Sequence, residues 1–485
     1  MAVEYEIVIG LEVHVELATR SKIFCACSTA FGAEPNTQTC PVCLGLPGAL
    51  PVLNHEALNL GLRAALALQC EPAAQTKFDR KNYFYPDLPK AYQISQFDLP
   101  LALRGHLDVF PAAGGVRTIG ITRVHLEEDA GKLLHESAGG QISTAESSLV
   151  DYNRGGVPLI EIVSEPDLRT AEEAYLYLVA LKEILQFAEI SDCNMEEGSL
   201  RCDANISVRP VGQQALGTKA ELKNMNSFKH VRAGIEYEAK RQIRLLREGG
   251  RVVQETRAWD AQAGVTTSLR SKEEAHDYRY FPEPDLPLIN ITAERLAEIR
   301  AALPELPRAR RARFQAEYGL SEYDAGVLTA SPELSAFFES AAQGTSPKAV
   351  CNWLTVELLG KLNAEGKDIS ASPVSPAQLN ALVRLIEAGE ISGKIGKQVF
   401  AEMAVSGEDA PVVVKRLGLS QISDAGSLQK IVDQVLAAHP GPVAEYRAGK
   451  TATLGFLVGQ VMKLSQGQAN PQKVNELLRA ALGAI

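Results

Sequence analysis

Glu12, His14 and Glu16 occupy every second position of a stretch, Ile7 to Leu17, whose odd positions are all aliphatic. A strand sends successive side chains to opposite faces, so two carboxylates and an imidazole would line up roughly 6.6 Å apart on one side. Oxygen and imidazole donors at that spacing suit a metal or phosphate site laid on a sheet. The same alternation also describes an amphipathic strand with a wetted outer face.

Other segments carry the same kind of chemistry. Glu127, Glu128 and Asp129 end a strand-like run, where three acids repel one another unless solvent or a cation intervenes. Glu161 interrupts the aliphatic run Leu159 to Val163, and a carboxylate there must be paired, coordinated or turned to an open edge. Arg201, Asp203, Asn205 and Ser207 again alternate, followed by Lys219, Glu221 and Lys223. Several strands pooling such residues on one face make a large polar cavity that fits an anionic, metal-dependent substrate. Carboxylates and an imidazole suit Mg²⁺ with several waters, which usually means nucleotide phosphates.

The sharpest local signal is Cys25-x-Cys27, 12 intervening residues, then Cys40-Pro-Val-Cys43. Four thiolates in two close pairs among turn-forming residues suit structural, tetrahedral Zn²⁺. The alternative is four unrelated reduced thiols. Cys70, Cys193, Cys202 and Cys351 are isolated and read as buried small hydrophobes. Between Asp79 and Lys90, basic and aromatic residues mix in a way that suits nucleic-acid ends or a protein interface equally. The chain contains neither a phosphate-binding glycine loop nor a Gly-x-Ser-x-Gly elbow. ATP chemistry would therefore be done on a sheet face, and any amide hydrolysis by another chain.

The elements that must position these groups divide the 485 residues into several domains. The first part is α+β, and the proline-rich run Phe281 to Pro287 closes it. Beyond it Ser331-Pro332, Ser375-Pro376 and Asn470-Pro471 each place a capping side chain before a proline that starts a helix. Leu379, Leu382, Val383 and Ile386 follow at helical spacing. The stretch from Val405 to Pro411 reads as a joint between two helical modules. Three segments are expected: 1–292, 293–404 and 405–485. The net charge of −10 argues against indiscriminate nucleic-acid binding, although the last segment carries eight Lys or Arg against six acids. An acidic N-terminus and the lack of a long apolar run predict a cytoplasmic protein without membrane spans.

Together these motifs resemble one family, the B subunits of the bacterial aspartyl/glutamyl-tRNA(Asn/Gln) amidotransferase. The likeness runs through Ile9 to Leu17, Phe78 to Asp87, Ala91 to Gln96, His125 to Lys132, Asp151 to Asp167, Met195 to Ser207, Lys219 to Phe228 and Asp277 to Asp285. It continues through Phe456 to Lys463 and Ala469 to Pro471. The resemblance implies a glutamine-synthetase-like cradle of antiparallel sheet, then an all-α helical domain and a small helical tail that touches tRNA. It implies a heterotrimer with the amidotransferase's A subunit, a glutaminase, and its C subunit. The expected reaction is ATP- and Mg²⁺-dependent: the side-chain carboxylate of misacylated Glu-tRNA(Gln) or Asp-tRNA(Asn) is phosphorylated, then amidated by channelled ammonia. By motif, His14, Glu128 and Glu161 match the family's Mg²⁺ ligands, and Glu12 is a catalytic candidate in the same site. Arg201 and Asp203 are candidates for phosphate and substrate contact. Lys81 is a candidate for the ammonia path, because a buried lysine can change its charge state. Cys25, Cys27, Cys40 and Cys43 match the zinc-containing branch. The alternative reading is a catalytically inactive scaffold that presents tRNA to a partner.

Overall fold

In the computed structural model the opening alternation becomes strand β1 (Tyr5–Glu16), and from Ile9 on its aliphatic positions bury completely: Ile9, Leu11, Val13 and Val15 are at most 1% exposed. Each such side chain contributes about 1.5–3 kcal/mol when taken fully out of water. The structure describes residues 3–135, 147–271, 277–419, 425–465 and 468–483.

Around β1 a large sheet assembles from β2 (Asp79–Asn82), β3 (Tyr92–Ser95), β4 (Ala102–Val109), β5 (Arg117–Glu128), β6 (Pro158–Ser164), β7 (Leu200–Pro210), β8 (Ala220–Lys223), β9 (Glu255–Asp260), β10 (Val265–Ser271) and β11 (Phe281–Pro282). The order is β10-β9-β8-β7-β1-β6-β5-β3-β2-β11, with β4 pairing β5 off this path. Every named pairing is antiparallel except β8 with β9, so the expected α+β sheet cradle carries one parallel step.

Helices α1 (His55–Ala67), α2 (Ala171–Phe187) and α3 (Phe228–Arg247) supply Leu62, Leu178, Leu181, Val231 and Ile235 to the core that the aliphatic sheet face builds. Glu12, His14, Glu161 and Asp203 are left to the other face. The same core takes in α4 (Ala293–Ala301), through buried Ile299 with Leu296, Leu303 and Leu306 packed beside it. The first compact unit therefore runs to Pro307, past the boundary expected at 292. Proline closes the strand segment, but the apolar face of the next helix still belongs to the sheet.

The second unit, Arg308–Ile485, is helical. The predicted caps are in place: Ser331 accepts from the Leu334 amide, Ser375 forms a reciprocal capping box with Gln378, and Asn470 accepts from the amides of Gln472 and Lys473. Two hydrophobic clusters occupy this unit, one spanning Phe314 to Leu419 and one Leu428 to Leu482. The stretch read as an inter-module joint is instead a tight turn, with Gly407 in the left-handed region. The next helix, Ala410–Leu417, buries Ala410 and Val413 in the first cluster. Among the described residues no helix is long and apolar enough to cross a membrane.

Candidate functional site

Strand register puts Arg201, His14, Glu161 and His125 side by side across β7, β1, β6 and β5. Each pairing joins directly opposed residues, so four polar side chains form one row on the face away from the helices. Beside it runs a second row, Asp203 opposite Glu12. Through His14, Arg201 and Asp203 these rows line a cavity of about 530 Å³ that also takes in Lys81, Glu127 and Lys223.

At its centre His14 Nε2 stands 3.5 Å from both Glu127 Oε1 and Glu161 Oε2. His125, itself buried, brings Nε2 to 3.3 Å from Glu161 Oε2 and 3.8 Å from Glu127 Oε2. Ser95 Oγ donates to Glu127 Oε2 at 3.3 Å. Burial opposes a charged imidazole on His14, but the neighbouring Glu161 and Glu127 outweigh it and raise its pKa to about 9. For Glu161, burial alone would raise the pKa, yet the two histidines hold it well below the usual carboxylate range. A cation would take the place of the His14 proton. The donor set fits one: one ligand atom from each of His14, Glu127 and Glu161 lie within 4.8 Å of one another, two of them hard oxygens, with open cavity for waters.

The structure sets one expected ligand, Glu128, apart from this cluster and puts its neighbour Glu127 there instead. Glu128 points through the sheet, where its Oε1 accepts from Lys90 Nζ at 2.7 Å and from the Ile94 amide at 2.9 Å. Adjacent strand residues face opposite sides, so Glu127, sharing the side of His125, is the acid that meets His14. The alternation of His125 and Glu127 repeats that of β1, and this signal in the sequence could have identified both residues.

The remaining expected residues fall around this centre. Glu12 Oε1 accepts from Asn205 Nδ2 at 2.8 Å, one row from His14. Asp203 pairs with Lys223, which also reaches Glu221 at 3.2 Å. Arg201 donates from Nη2 to Asp129 Oδ2 at 2.7 Å. Glu16 is not merely solvated: burial and the adjacent Asp129 carboxylate raise its pKa to about 8. Lys81 lines the cavity with Nζ 5.1 Å from the Tyr278 ring centroid and 5.9 Å from that of Tyr83. Burial works to neutralise it, but Glu127 and other neighbours raise its pKa, so the ammonium keeps its charge. Its expected ability to lose charge is not what this environment favours.

Away from the cavity, Cys25, Cys27, Cys40 and Cys43 bring their sulfurs within 4.8 Å of one another. Cys40 and Cys43 sulfurs are 3.8 Å apart, which is the edge of a tetrahedron built with Zn–S bonds of about 2.3 Å. A hydrogen bond from the Cys25 thiol lowers the Cys43 pKa to about 4. A thiolate is thus already favoured, and the four cysteines fit a closed tetrahedral site. Cys70, Cys193, Cys202 and Cys351 are buried, as expected of small hydrophobes.

Comparison with known proteins places the chain among relatives that match it nearly end to end. Residues 7–297 match the family described as GatB/GatE catalytic domain, and residues 336–482 match the GatB domain. The B subunit of the aspartyl/glutamyl-tRNA(Asn/Gln) amidotransferase of Carboxydothermus hydrogenoformans is 61% identical over 483 residues, covering 99% of this chain and 100% of that one. The protein of the same name from Caldanaerobacter subterraneus subsp. tengcongensis is 58% identical over 480 residues, 99% of each chain. That of Brevibacillus brevis is 55% identical over 483 residues, 99% of this chain and 100% of the relative.

Proposed function

The chain belongs to the GatB family of amidotransferase B subunits, and from that premise we propose that its polar cavity performs the ATP-dependent half of a tRNA-linked amidation. The side-chain carboxylate of Glu-tRNA(Gln) or Asp-tRNA(Asn) attacks the γ-phosphorus of ATP, and the bond to ADP breaks. Ammonia then attacks the resulting acyl phosphate, forming the amide and releasing inorganic phosphate. The glutaminase, which is the A subunit, supplies the ammonia, and the C subunit completes the heterotrimer in the cytoplasm.

One observation carries the reading: His14, Glu127 and Glu161 converge beside Arg201 on a cavity floor that holds cations and carboxylates together. A divalent cation such as Mg²⁺ bound there would offset charge on the transferred phosphoryl group, where positioning and electrostatics do most of the work. His125 and Ser95 keep the two carboxylates aimed at that point. Arg201 offers a planar donor edge to phosphoryl oxygens, and charged Lys81, which lines the same cavity, draws the anionic substrate. Asp203 pairs with Lys223, which lines the same cavity. Glu12, held by Asn205, orients the acceptor or a second cation. The four cysteines would hold structural Zn²⁺ and take no part in the chemistry. The mildly basic end of the chain would contact tRNA by shape and backbone.

The test is reconstitution. The chain, assembled with its partner subunits and supplied with Glu-tRNA(Gln), ATP, Mg²⁺ and glutamine, should release phosphate and form Gln-tRNA(Gln). If neither product forms there or with Asp-tRNA(Asn), the scaffold reading replaces this one.

A further inference from the structure

We propose that Asp129 is a positioning residue: clamped by Arg154, it aims the Arg201 guanidinium at the phosphoryl oxygens of the bound nucleotide. The inference rests on the cavity being the phosphoryl-transfer site.

Asp129 stands just past the end of β5, two residues beyond Glu127, and is only 5% exposed. A buried carboxylate must be paired. Its backbone is fixed on both sides, the amide donating to Val157 O and the carbonyl accepting from the Gly156 amide, each at 2.8 Å. Its side chain lies between two guanidiniums. Arg201 Nη2 donates to Oδ2 at 2.7 Å, and Arg154 Nε stands 3.5 Å from the same oxygen. Arg154 is itself immobilised, with Nε donating to Ala130 O at 3.0 Å and Nη2 to Gly131 O at 2.8 Å. The two arginines are therefore unequal. Arg154 spends its donors on backbone carbonyls of the turn that carries Asp129, whereas Arg201 lines the cavity with about a third of its side chain exposed.

A guanidinium has five N–H donors in a rigid plane. Among the described residues Asp129 takes the one hydrogen bond that Arg201 makes, so a donor edge remains for a ligand. Tethering one corner fixes the plane of that edge, which a free arginine in so wide a cavity would have to order on binding. The register then decides where an anion would lie. Arg201 is directly opposite His14, so an oxygen held by the free edge sits beside the donor atoms of His14, Glu127 and Glu161. Phosphate is the ligand class that a planar guanidinium and a hard-cation site hold together.

The experiment is a double-mutant cycle on the assembled complex, reading the Kd of a non-hydrolysable ATP analogue with Mg²⁺. Arg201→Ala and Asp129→Asn should each weaken binding by about tenfold or more. The double variant should bind no more weakly than Arg201→Ala alone, because a residue acting only through Arg201 has nothing left to act on. Mn²⁺ affinity measured by electron paramagnetic resonance should be unchanged in Asp129→Asn. If Asp129→Asn fails to assemble, Arg154→Met provides the second route, with a smaller loss that also vanishes in the Arg201→Ala background. Losses that add in the double variant, or Asp129→Asn binding at the wild-type Kd, overturn the positioning role. A wild-type complex that binds no nucleotide overturns the functional reading itself, and the role of Asp129 falls with it.

Discussion

His14 and Glu161 face each other across adjacent antiparallel strands, and their side chains close to 3.5 Å between Nε2 and Oε2. The contact follows from pairing alone, since both residues occupy the polar parity of their strands while Val13, Val15, Ile160 and Ile162 fill the core beneath. Backbone hydrogen bonds therefore set the spacing of these side chains before any ligand arrives, and this preorganises the site. Glu127 joins from β5 on the same parity.

The neighbouring acids Glu127 and Glu128 should fail differently. Glu127→Gln removes a ligand and should lower ATP-dependent phosphate release by several kcal/mol of barrier, about a hundredfold or more. It should also weaken Mn²⁺ binding. Glu128→Gln leaves Lys90 buried against a neutral amide, so its main effect should be lost stability, about 3 kcal/mol. Mn²⁺ titration and thermal unfolding of both variants separate the two. Equal Mn²⁺ affinity in wild type and Glu127→Gln would remove Glu127 from the site.

The parity of β1, and with it the polar cavity, is legible in the sequence because period two is local. Which acid of an adjacent pair faces inward is less legible. Parity with His125 selects Glu127 only while the strand stays regular, and the bulge between Val163 and Ser164 shows that strand phase can shift. The place of Asp129 between Arg154 and Arg201 could not be read, because those residues meet only once three separate segments have folded. Cysteine spacing carried further, since two close pairs leave few geometries open. The first compact unit extends past the proline-rich run, because proline marks the end of a strand and not the end of a core.

Zinc should be present at about one ion per chain in protein purified without chelators. Cys43→Ser should abolish it and lower stability by several kcal/mol, because metal affinity and local folding are linked. Elemental analysis with thermal unfolding checks both. Mn²⁺ binding at His14 should persist in the folded fraction, since no cysteine of the cluster lines that cavity. A zinc content near zero in the wild-type chain would leave four reduced thiols.

Helix α4 should behave as part of the sheet unit. Ile299→Ala opens a cavity at a residue 8% exposed, beside Leu296 and Leu303, and should cost about 2–4 kcal/mol. The loss should appear in the urea transition that also reports the sheet. If it appears only in the transition of the helical unit, α4 has been assigned to the wrong core.

Arg80 and Glu283 tie the segment after residue 277 to β2 through two hydrogen bonds, Nε to Oε2 at 2.7 Å and Nη2 to Oε1 at 2.8 Å. The Glu283 side chain is wholly buried, so removing it strands a guanidinium. Asp285 lies 3.4 Å from Arg80 Nη2 and can take up part of that charge. Glu283→Ala should therefore cost about 3 kcal/mol, the lower end of what a broken buried pair costs. The same segment carries Tyr278, whose carbonyl accepts from the Asn82 amide at 2.9 Å and whose ring faces Lys81. Loosening it should expose the segment to limited proteolysis and raise KM for the anionic substrate more than it lowers kcat, because Lys81 loses its aromatic support without leaving the cavity wall. A variant with wild-type stability and unchanged proteolysis would show that Asp285 alone suffices to hold Arg80.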